Sequence, residues 1–247
     1  MAGLILLAVL AHSAMARAER ITVLSSNGFR AVLQELAPQF EKATGHQVVI
    51  NFSVAAELKK RIDGGEAFDL AILTPALIDD LIKQGTVVST SRTVLARTGM
   101  AIAIRRGAAK PDVRTVDALK ATLTASPSIA FAREGAGGIF FTALVARLGL
   151  AQTLAPKFKT FTTGDEVRDA IGRGDAALGV MPLSEILPAP GVEVAGTFPP
   201  AVQDYAVMVA GVSQRAVRSA TVRALIEFMM SPSASSVVVT KGMERVP

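Results

Sequence analysis

Four places in the sequence join a short apolar run to a helical pattern through small or polar residues. They lie at residues 25–28, 53–55, 73–75 and 133–138. A helix that begins at such a place has first N–H groups without a partner inside the helix, and it presents the positive end of its dipole there. Each junction is therefore a candidate anion-binding site. For any single junction the competing interpretation is an ordinary helix cap, so a site requires several junctions to act together.

The polar groups at these junctions suit an oxyanion or a carboxylate. Hydroxyl, amide and backbone N–H groups are neutral donors, and the candidates of this kind are Ser25, Ser26, Asn27, Ser53, Thr74 and Gly137. Arg133 could grip an anion with two N–H groups, although a surface salt bridge with Glu134 is an equal alternative. Tyr205 is the single tyrosine. Its hydroxyl could meet a ligand, or the ring could equally lie at the edge of the core.

Several kinds of chemistry are excluded by the residue types. The chain has no cysteine, and its two histidines, His12 and His46, are too few for a multi-histidine metal site. There is no G-x-G-x-x-G pattern, no P-loop, no G-x-S-x-G and no histidine placed for a triad. Glu57, Asp69 and Glu134 would form an acid–base pair only if folding happened to bring them together. We therefore expect no metal, no cofactor and no enzymatic activity.

Apolar strands alternate with amphipathic helices around the four junctions. Strands are predicted at residues 21–24, 48–52, 68–73, 100–104, 128–132, 177–181 and 205–211. Ser53 is placed to cap the helix after the second strand, and residues 163–166 have the spacing of a capping box. A second α/β series begins after Met100. This order predicts an α/β fold with parallel strands, whose carboxyl ends would gather the junctions at one edge.

The composition suits a folded protein that attracts anions. Half of the 247 residues are hydrophobic and 19% are charged, which favours a large core over disorder. The formal net charge of +5 favours anionic partners. Because the basic residues are dispersed along the chain, we expect no nucleic-acid partner.

The first residues have the layout of a secretory signal peptide. An apolar run at residues 4–10 is too short to span a bilayer, and Ala-x-Ala cleavage options follow at 14–16 and 16–18. Residues 1–18 are therefore predicted to be removed on export, a buried first strand or helix being the alternative. Since there is no cysteine to carry a lipid, we expect a soluble periplasmic protein.

Five segments resemble the extracytoplasmic solute-binding proteins of ABC importers, specifically the molybdate-binding-protein-like family. They read ITVLSS at 21–26, FEKATG at 40–45, FDLAI at 68–72, SP at 231–232 and GME at 242–244. The resemblance implies the type II periplasmic binding protein fold. In it, two α/β lobes with mixed, mainly parallel sheets are joined by two crossover strands and close on a ligand like a hinged trap. Lobe 1 would comprise residues 20–98 and 207–247, and lobe 2 residues 99–206.

The resemblance also implies a ligand site in which two serines are missing. The family's first-loop serine matches Gly28, and its second-loop serine pair matches residues 54–56, which leaves Ser53 as the nearest hydroxyl. The family's backbone-amide contact matches Gly137, and its tyrosine resembles Tyr205. Each lost donor would contribute about 1.5–3 kcal/mol. Either neighbouring groups substitute for them, or the ligand is another anion.

These observations predict a monomeric periplasmic protein that captures a small anion, a molybdate-like oxyanion or a small organic acid, and delivers it to an ABC transporter permease. The alternative is an exported enzyme on the same scaffold, such as an isomerase of a small organic acid, with Glu57 or Glu134 as the acid–base residue. The effector lobes of a transcription regulator are a third class. Residues 1–20 leave no room for the helix-turn-helix that such a regulator needs.

Overall fold

A computed structural model describes residues 18–216 and 219–246. The predicted signal peptide lies outside these residues, except for Ala18. The strands are β1 (Arg20–Ser26), β2 (Gln47–Ser53), β3 (Leu70–Leu73), β4 (Thr93–Arg105), β5 (Ile129–Ala132), β6 (Phe158–Phe161), β7 (Leu178–Pro182), β8 (Val192–Thr197) and β9 (Tyr205–Val212). The α-helices are α1 (Arg30–Thr44), α2 (Ala55–Asp63), α3 (Pro75–Lys83), α4 (Val116–Ala125), α5 (Ala136–Arg147), α6 (Ala151–Leu154), α7 (Gly164–Arg173), α8 (Leu183–Ile186), α9 (Ser219–Met230) and α10 (Pro232–Thr240).

The strands form one mixed sheet with a parallel group at each end. The order is β2-β1-β3-β9-β4-β7-β5-β6, and β8 pairs with β4 beside this path. Pairing is parallel within β2-β1-β3 and within β7-β5-β6. The antiparallel strands β9 and β4 join the two groups. This confirms the predicted α/β fold with mixed, mainly parallel sheets.

Strand β4 belongs to both halves of the sheet. Its residues 93–99 pair with β9, and its residues 100–105 pair with β7 and β8. The register shifts once in each part, between Val94 and Ala96 and between Ile102 and Ala103. The change of partner therefore falls between Gly99 and Met100. The lobe boundaries given above stay a prediction.

The inner strands are buried on both faces, as their continuous apolar runs predict. On one face of the first parallel group, Val23 and Ile72 pack with Phe40 of α1. On the other face, Leu24 packs with Leu58 of α2. Each side chain buried in this way contributes about 1.5–3 kcal/mol. This packing fixes the helices on the sheet and thereby fixes where each helix begins.

Two sequence-based expectations about helix starts have different outcomes. The capping box is confirmed: Thr163 accepts from the N–H of Glu166, and the Glu166 carboxylate accepts from the N–H of Thr163. The expected cap by Ser53 is wrong, because the N-cap of α2 is Val54 and no side chain caps the helix. Ser53 continues β2, where it pairs with Ser26 of β1.

Within the described residues, no single helix is both long and apolar enough to cross a membrane. The α9 and α10 helices meet that criterion only when taken together, and a bend of 65° separates them. Nor does this part of the chain contain a cluster of three or more His, Asp or Glu side chains that could hold a metal ion.

Candidate functional site

A cavity of about 240 Å³ opens where the carboxyl ends of the parallel strands meet the starts of the following helices. Its walls come from the junction after β1, the starts of α2, α3, α5 and α7, and the end of β7. The lining residues are Ser26, Asn27, Gly28, Val54, Ala55, Ala56, Thr74, Ala76, Leu77, Ala132, Glu134, Gly135, Ala136, Gly137, Ile139, Gly164, Val167, Val180, Met181, Pro182, Glu185 and Met208. Both parallel groups of strands therefore contribute to one site.

Three helices present unpaired backbone donors to this cavity. The backbone bonds that open α2, α3 and α5 are donated by Leu58, Ile78 and Ile139. The N–H groups just before them have no partner inside their helix, and they belong to the lining residues Ala55 and Ala56, Ala76 and Leu77, and Ala136 and Gly137.

No side chain caps these three helices, whereas α4, α7 and α10 are capped by Thr115, Thr163 and Ser231. The uncapped donors and the positive ends of three helix dipoles thus converge on one volume. That is the arrangement an anion requires.

The structure brings four of the predicted residues to the cavity, namely Ser26, Asn27, Thr74 and Gly137. Ser25 lies beneath them. Its side chain is buried, and its hydroxyl donates to the carbonyl of Ser26 at 3.2 Å. Ser25 can therefore support the loop, but it does not line the cavity.

Ser53 and Arg133 lie together in a neighbouring groove. That groove also contains Glu57, Thr160 and Glu166 among its lining residues. The exposed Arg133 side chain donates to the hydroxyl of Thr160 at 3.0 Å, and this bond turns the guanidinium toward β6. The idea that Arg133 grips an anion in the main cavity therefore lacks the necessary geometry. No lysine or arginine lines the cavity in the described part of the chain.

Tyr205 is placed away from the cavity, contrary to the expectation that it lines the cleft. The side chain is 42% exposed at the start of β9. The Arg97 guanidinium lies over its ring, 4.3 Å from the ring centre, and Arg97 also pairs with Glu244 at 2.7 Å. Tyr205 thus belongs to a surface cluster on the strands that join the two halves of the sheet.

Glu185 is a residue of the cavity that the sequence reasoning missed. It follows β7 in the short helix α8, and its carboxylate packs directly over the start of α7 at Gly164, where a Cβ atom would overlap it. Burial raises the pKa of the Glu185 carboxyl, and the charges of Arg168 and Arg30 oppose this shift only in part. An acidic residue just after a buried strand was the available signal, since the same strand-end rule located the other site residues.

A chain of charged and polar groups runs behind the cavity from one half of the sheet to the other. Arg30 donates to Asn27 at 2.7 Å and lies 3.5 Å from Asp165. Asp165 also pairs with Arg168, which donates to the backbone carbonyl of Glu185 at 3.4 Å. Desolvation lowers the pKa of Arg168. These contacts hold Asn27 and Glu185 in place on opposite walls.

Glycine is required where α5 approaches β7. A Cβ atom on Gly137 would lie 2.5 Å from the Val180 carbonyl oxygen and 2.8 Å from the Met181 Cα, and one on Gly138 would overlap the Ala132 carbonyl. Both glycines lie in the first turn of α5 rather than in a loop before it. Their small size lets the helix start reach the cavity.

The sheet is mixed and has a parallel group of strands at each end. Helices that follow strands of both groups begin at one cavity, which suits an anion. These features define a type II periplasmic binding protein fold. The sequence profile described as bacterial extracellular solute-binding protein matches residues 21–244, and the chain belongs to this family. The chain is 29% identical to an aconitate isomerase of Pseudomonas sp., over 92% of this chain and 88% of the relative.

Two molybdate-binding proteins are also similar. The chain is 25% identical to molybdate-binding protein ModA of Escherichia coli, over 96% of this chain and 93% of the relative. The structure of the periplasmic molybdate-binding protein of Azotobacter vinelandii superimposes with a TM-score of 0.78 at 22% identity, covering 92% of this chain and 99% of that one. At that identity the structural likeness shows the fold alone.

Proposed function

We propose that this protein captures a small anion in the cavity and delivers it to the permease of an ABC importer. The observation that carries the proposal is the convergence of the uncapped starts of α2, α3 and α5 on one volume. Neutral donors of this kind bind an anion without a permanent counter-charge. Membership in the solute-binding family supports the same role.

The proposal includes a periplasmic location and a monomeric state. The signal-peptide pattern of residues 1–18 and membership in the family of bacterial extracellular solute-binding proteins support the location. Residues 20–98 with 207–247 and residues 99–206 would act as two lobes that close on the ligand. The charged chain from Arg30 to Arg168 would then lie behind the closed site.

Both a tetrahedral oxyanion and a small organic acid remain candidate ligands. The similarity to molybdate-binding proteins favours the oxyanion. Two features favour an organic acid. Gly28 and residues 54–56 occupy the positions where that family's serines are expected, so those hydroxyl donors are missing. The cavity also contains the carboxyl group of Glu185. The ligand's own hydrogen-bonding groups would decide between them.

A thermal-shift screen followed by calorimetry tests the proposal. Molybdate, sulfate, citrate and trans-aconitate serve as probes, because a ligand of the folded state raises the melting temperature. With a ligand that binds, Ser26→Ala and Thr74→Ala should each weaken binding about 10- to 100-fold, since each removes one bond to a charged group.

The matched controls are Arg133→Ala and Tyr205→Phe, which change residues outside the cavity and should keep wild-type affinity. Loss of binding in Arg133→Ala, with Ser26→Ala and Thr74→Ala unaffected, would move the site to the neighbouring groove. Absence of any stabilisation by the four probes would contradict anion capture.

A second candidate function is isomerisation of a small organic acid on the same scaffold. The similarity to an aconitate isomerase over 92% of the chain favours it. So does a feature of the cavity, which contains two carboxyl groups, Glu134 and Glu185, rather than neutral donors alone. Of the acid–base candidates named from the sequence, Glu134 lines the cavity and Glu57 lies in the neighbouring groove.

A further inference from the structure

The carboxyl group of Glu185 conflicts with passive capture of an anion. The starts of α2, α3 and α5 make the cavity favourable for negative charge, yet Glu185 places a second acidic group in the same volume. Like charges at close range repel, and the repulsion is stronger where solvent is excluded. When it is ionised, Glu185 therefore weakens binding of an anion, and a site that only holds an anion does not require it.

Among the described residues, no lysine or arginine forms a salt bridge with this carboxyl group, although the charges of Arg168 and Arg30 act on it from nearby. Arg168 of α7 uses its guanidinium on Asp165 and on the Glu185 backbone carbonyl. Arg30 of α1 uses its own on Asn27 and Asp165. The negative charge of Asp169 in α7 also favours the charged form of Arg168. Glu134 is the other carboxyl group of the cavity. In residues 18–216 and 219–246, Glu185 therefore lies in the cavity wall without a salt-bridge partner.

The geometry points to Glu185 as the catalytic acid–base residue of a proton shift on a small unsaturated carboxylate bound in this cavity. The inference rests on the proposed function, because it needs the helix starts to hold the substrate's carboxylates. It extends the second candidate function, isomerisation of a small organic acid, by naming Glu185 as the residue that transfers the proton. Burial also raises the pKa of Glu185 above its ordinary value, and a raised pKa suits a carboxyl group that must both take and return a proton.

The reaction balances without a cofactor. The Glu185 carboxylate removes a proton from a CH₂ carbon that lies between a carboxylate and a C=C bond, and the electron pair of that C–H bond enters the conjugated system. The protonated Glu185 then returns the proton to the far carbon of the former double bond, so the double bond moves by one position. When both end carbons carry carboxylates, as in aconitate, the connectivity is unchanged and the cis and trans forms interconvert.

The uncapped helix starts have a second role in this reaction. Removal of the proton spreads negative charge over the carboxylates of the intermediate. Backbone N–H groups at the starts of α2, α3 and α5 already point at the cavity, so they stabilise this charge without rearranging. Capture and catalysis would thus use the same backbone donors. Glu185 would be the residue that catalysis needs and capture does not.

Proton NMR in D₂O tests this inference, with trans-aconitate as the probe and calorimetry on the same samples. Wild-type protein should form cis-aconitate. Deuterium should enter the carbon between the carboxylate and the double bond whenever the proton on Glu185 exchanges with D₂O before it is returned. Glu185→Gln should lower both rates about 100- to 10,000-fold while binding stays within tenfold of wild type. Glu57→Gln, a carboxyl variant outside the cavity, should keep wild-type rates.

Five results would overturn the assignment. Full turnover in Glu185→Gln, or loss of turnover in Glu134→Gln alone, would place the proton transfer elsewhere. Wild-type binding of trans-aconitate without formation of cis-aconitate, or binding of molybdate but not of trans-aconitate, would overturn it while leaving anion capture intact. Binding of none of the probes would overturn both proposals.

Discussion

The residues of the cavity divide into neutral donors that suit an anion and two acids, Glu134 and Glu185, that do not. Ser26, Asn27, Thr74 and Gly137 supply neutral groups at strand ends. Glu185 adds a carboxyl group whose burial raises its pKa. Ionisation of such a buried carboxyl group lowers the free energy of unfolding, because the group ionises more easily in the unfolded chain than in the folded protein.

Glu185→Gln should therefore stabilise the free protein at neutral pH. The raised pKa means that the folded state binds the proton more tightly than the unfolded chain. The resulting stability is fully present below the ordinary glutamate pKa, about 4.3, and is lost as the pH rises to the raised value. Thermal unfolding should show Glu185→Gln above wild type at pH 7.5 and equal to it near pH 4.

The exposed carboxyl of Glu57 provides the control for this measurement. It lies in the first turn of α2, where a negative charge favours the helix, so Glu57→Gln should not gain stability at either pH. A melting temperature of Glu185→Gln below wild type at pH 7.5 would show that the carboxylate is stabilised in the folded protein.

The sequence located part of this site for a physical reason. Strand ends and helix starts can be read from local patterns, which is why the residues named from the sequence include four that line the cavity, Ser26, Asn27, Thr74 and Gly137. Their role in binding stays a prediction. Arg133 and Tyr205 were expected there too, but side-chain direction depends on neighbours far along the chain, Thr160 for Arg133 and Arg97 for Tyr205. Glu185 was missed because the helix that carries it has four residues and no periodicity.

At the scale of elements, the approach of α5 to β7 depends on glycine. Gly137→Ala should destabilise the protein by about 1–3 kcal/mol, the usual cost of overpacking, because its Cβ would meet the Val180 carbonyl. Gly172→Ala in α7 is the matched control. Its Cβ would have only the Gly191 carbonyl oxygen within reach, at 3.9 Å, so alanine should be neutral or stabilise by up to about 1 kcal/mol.

Denaturant unfolding of the two variants measures the difference. Equal stability of Gly137→Ala and Gly172→Ala would mean that α5 can move away from β7 at no cost. In that case the position of the α5 start at the cavity would not be fixed by packing.

Local patterns predicted most elements of the two parallel groups, because their strands are buried and their helices are amphipathic. Strands β6 and β8 and helices α6, α8 and α9 were not predicted. The β6 strand is exposed at the edge of the sheet and carries Lys159 in its centre, and β8 has only Val192 buried. Their strand conformation comes from pairing with β5 and β4 rather than from their own composition.

At the scale of the whole molecule, two contacts cross between the halves of the sheet near the cavity. Ser184 of α8 donates to the Gly28 carbonyl at 2.8 Å, and Arg30 of α1 lies 3.5 Å from Asp165 of α7. Both contacts join elements on opposite sides of β4. Any closing motion of the proposed lobes must keep or re-form them.

A bound anion should make the protein more compact. If the lobes close on the ligand, the radius of gyration from small-angle X-ray scattering should fall at saturation. Ser26→Ala, at a ligand concentration that leaves it largely unbound, should keep the radius of the free protein. Saturation by calorimetry with an unchanged scattering curve would contradict the closing mechanism.

The position of β9 in the sheet has a consequence for how the chain folds. Residues 205–212 lie between β3 and β4, whose residues precede them by more than a hundred positions. The first half of the sheet therefore stays incomplete until most of the chain has left the ribosome, and contacts this distant in sequence form slowly. This half of the protein therefore completes its sheet late in synthesis. The export that we propose would benefit from that delay, since a translocation pore admits a chain only before its sheet has closed.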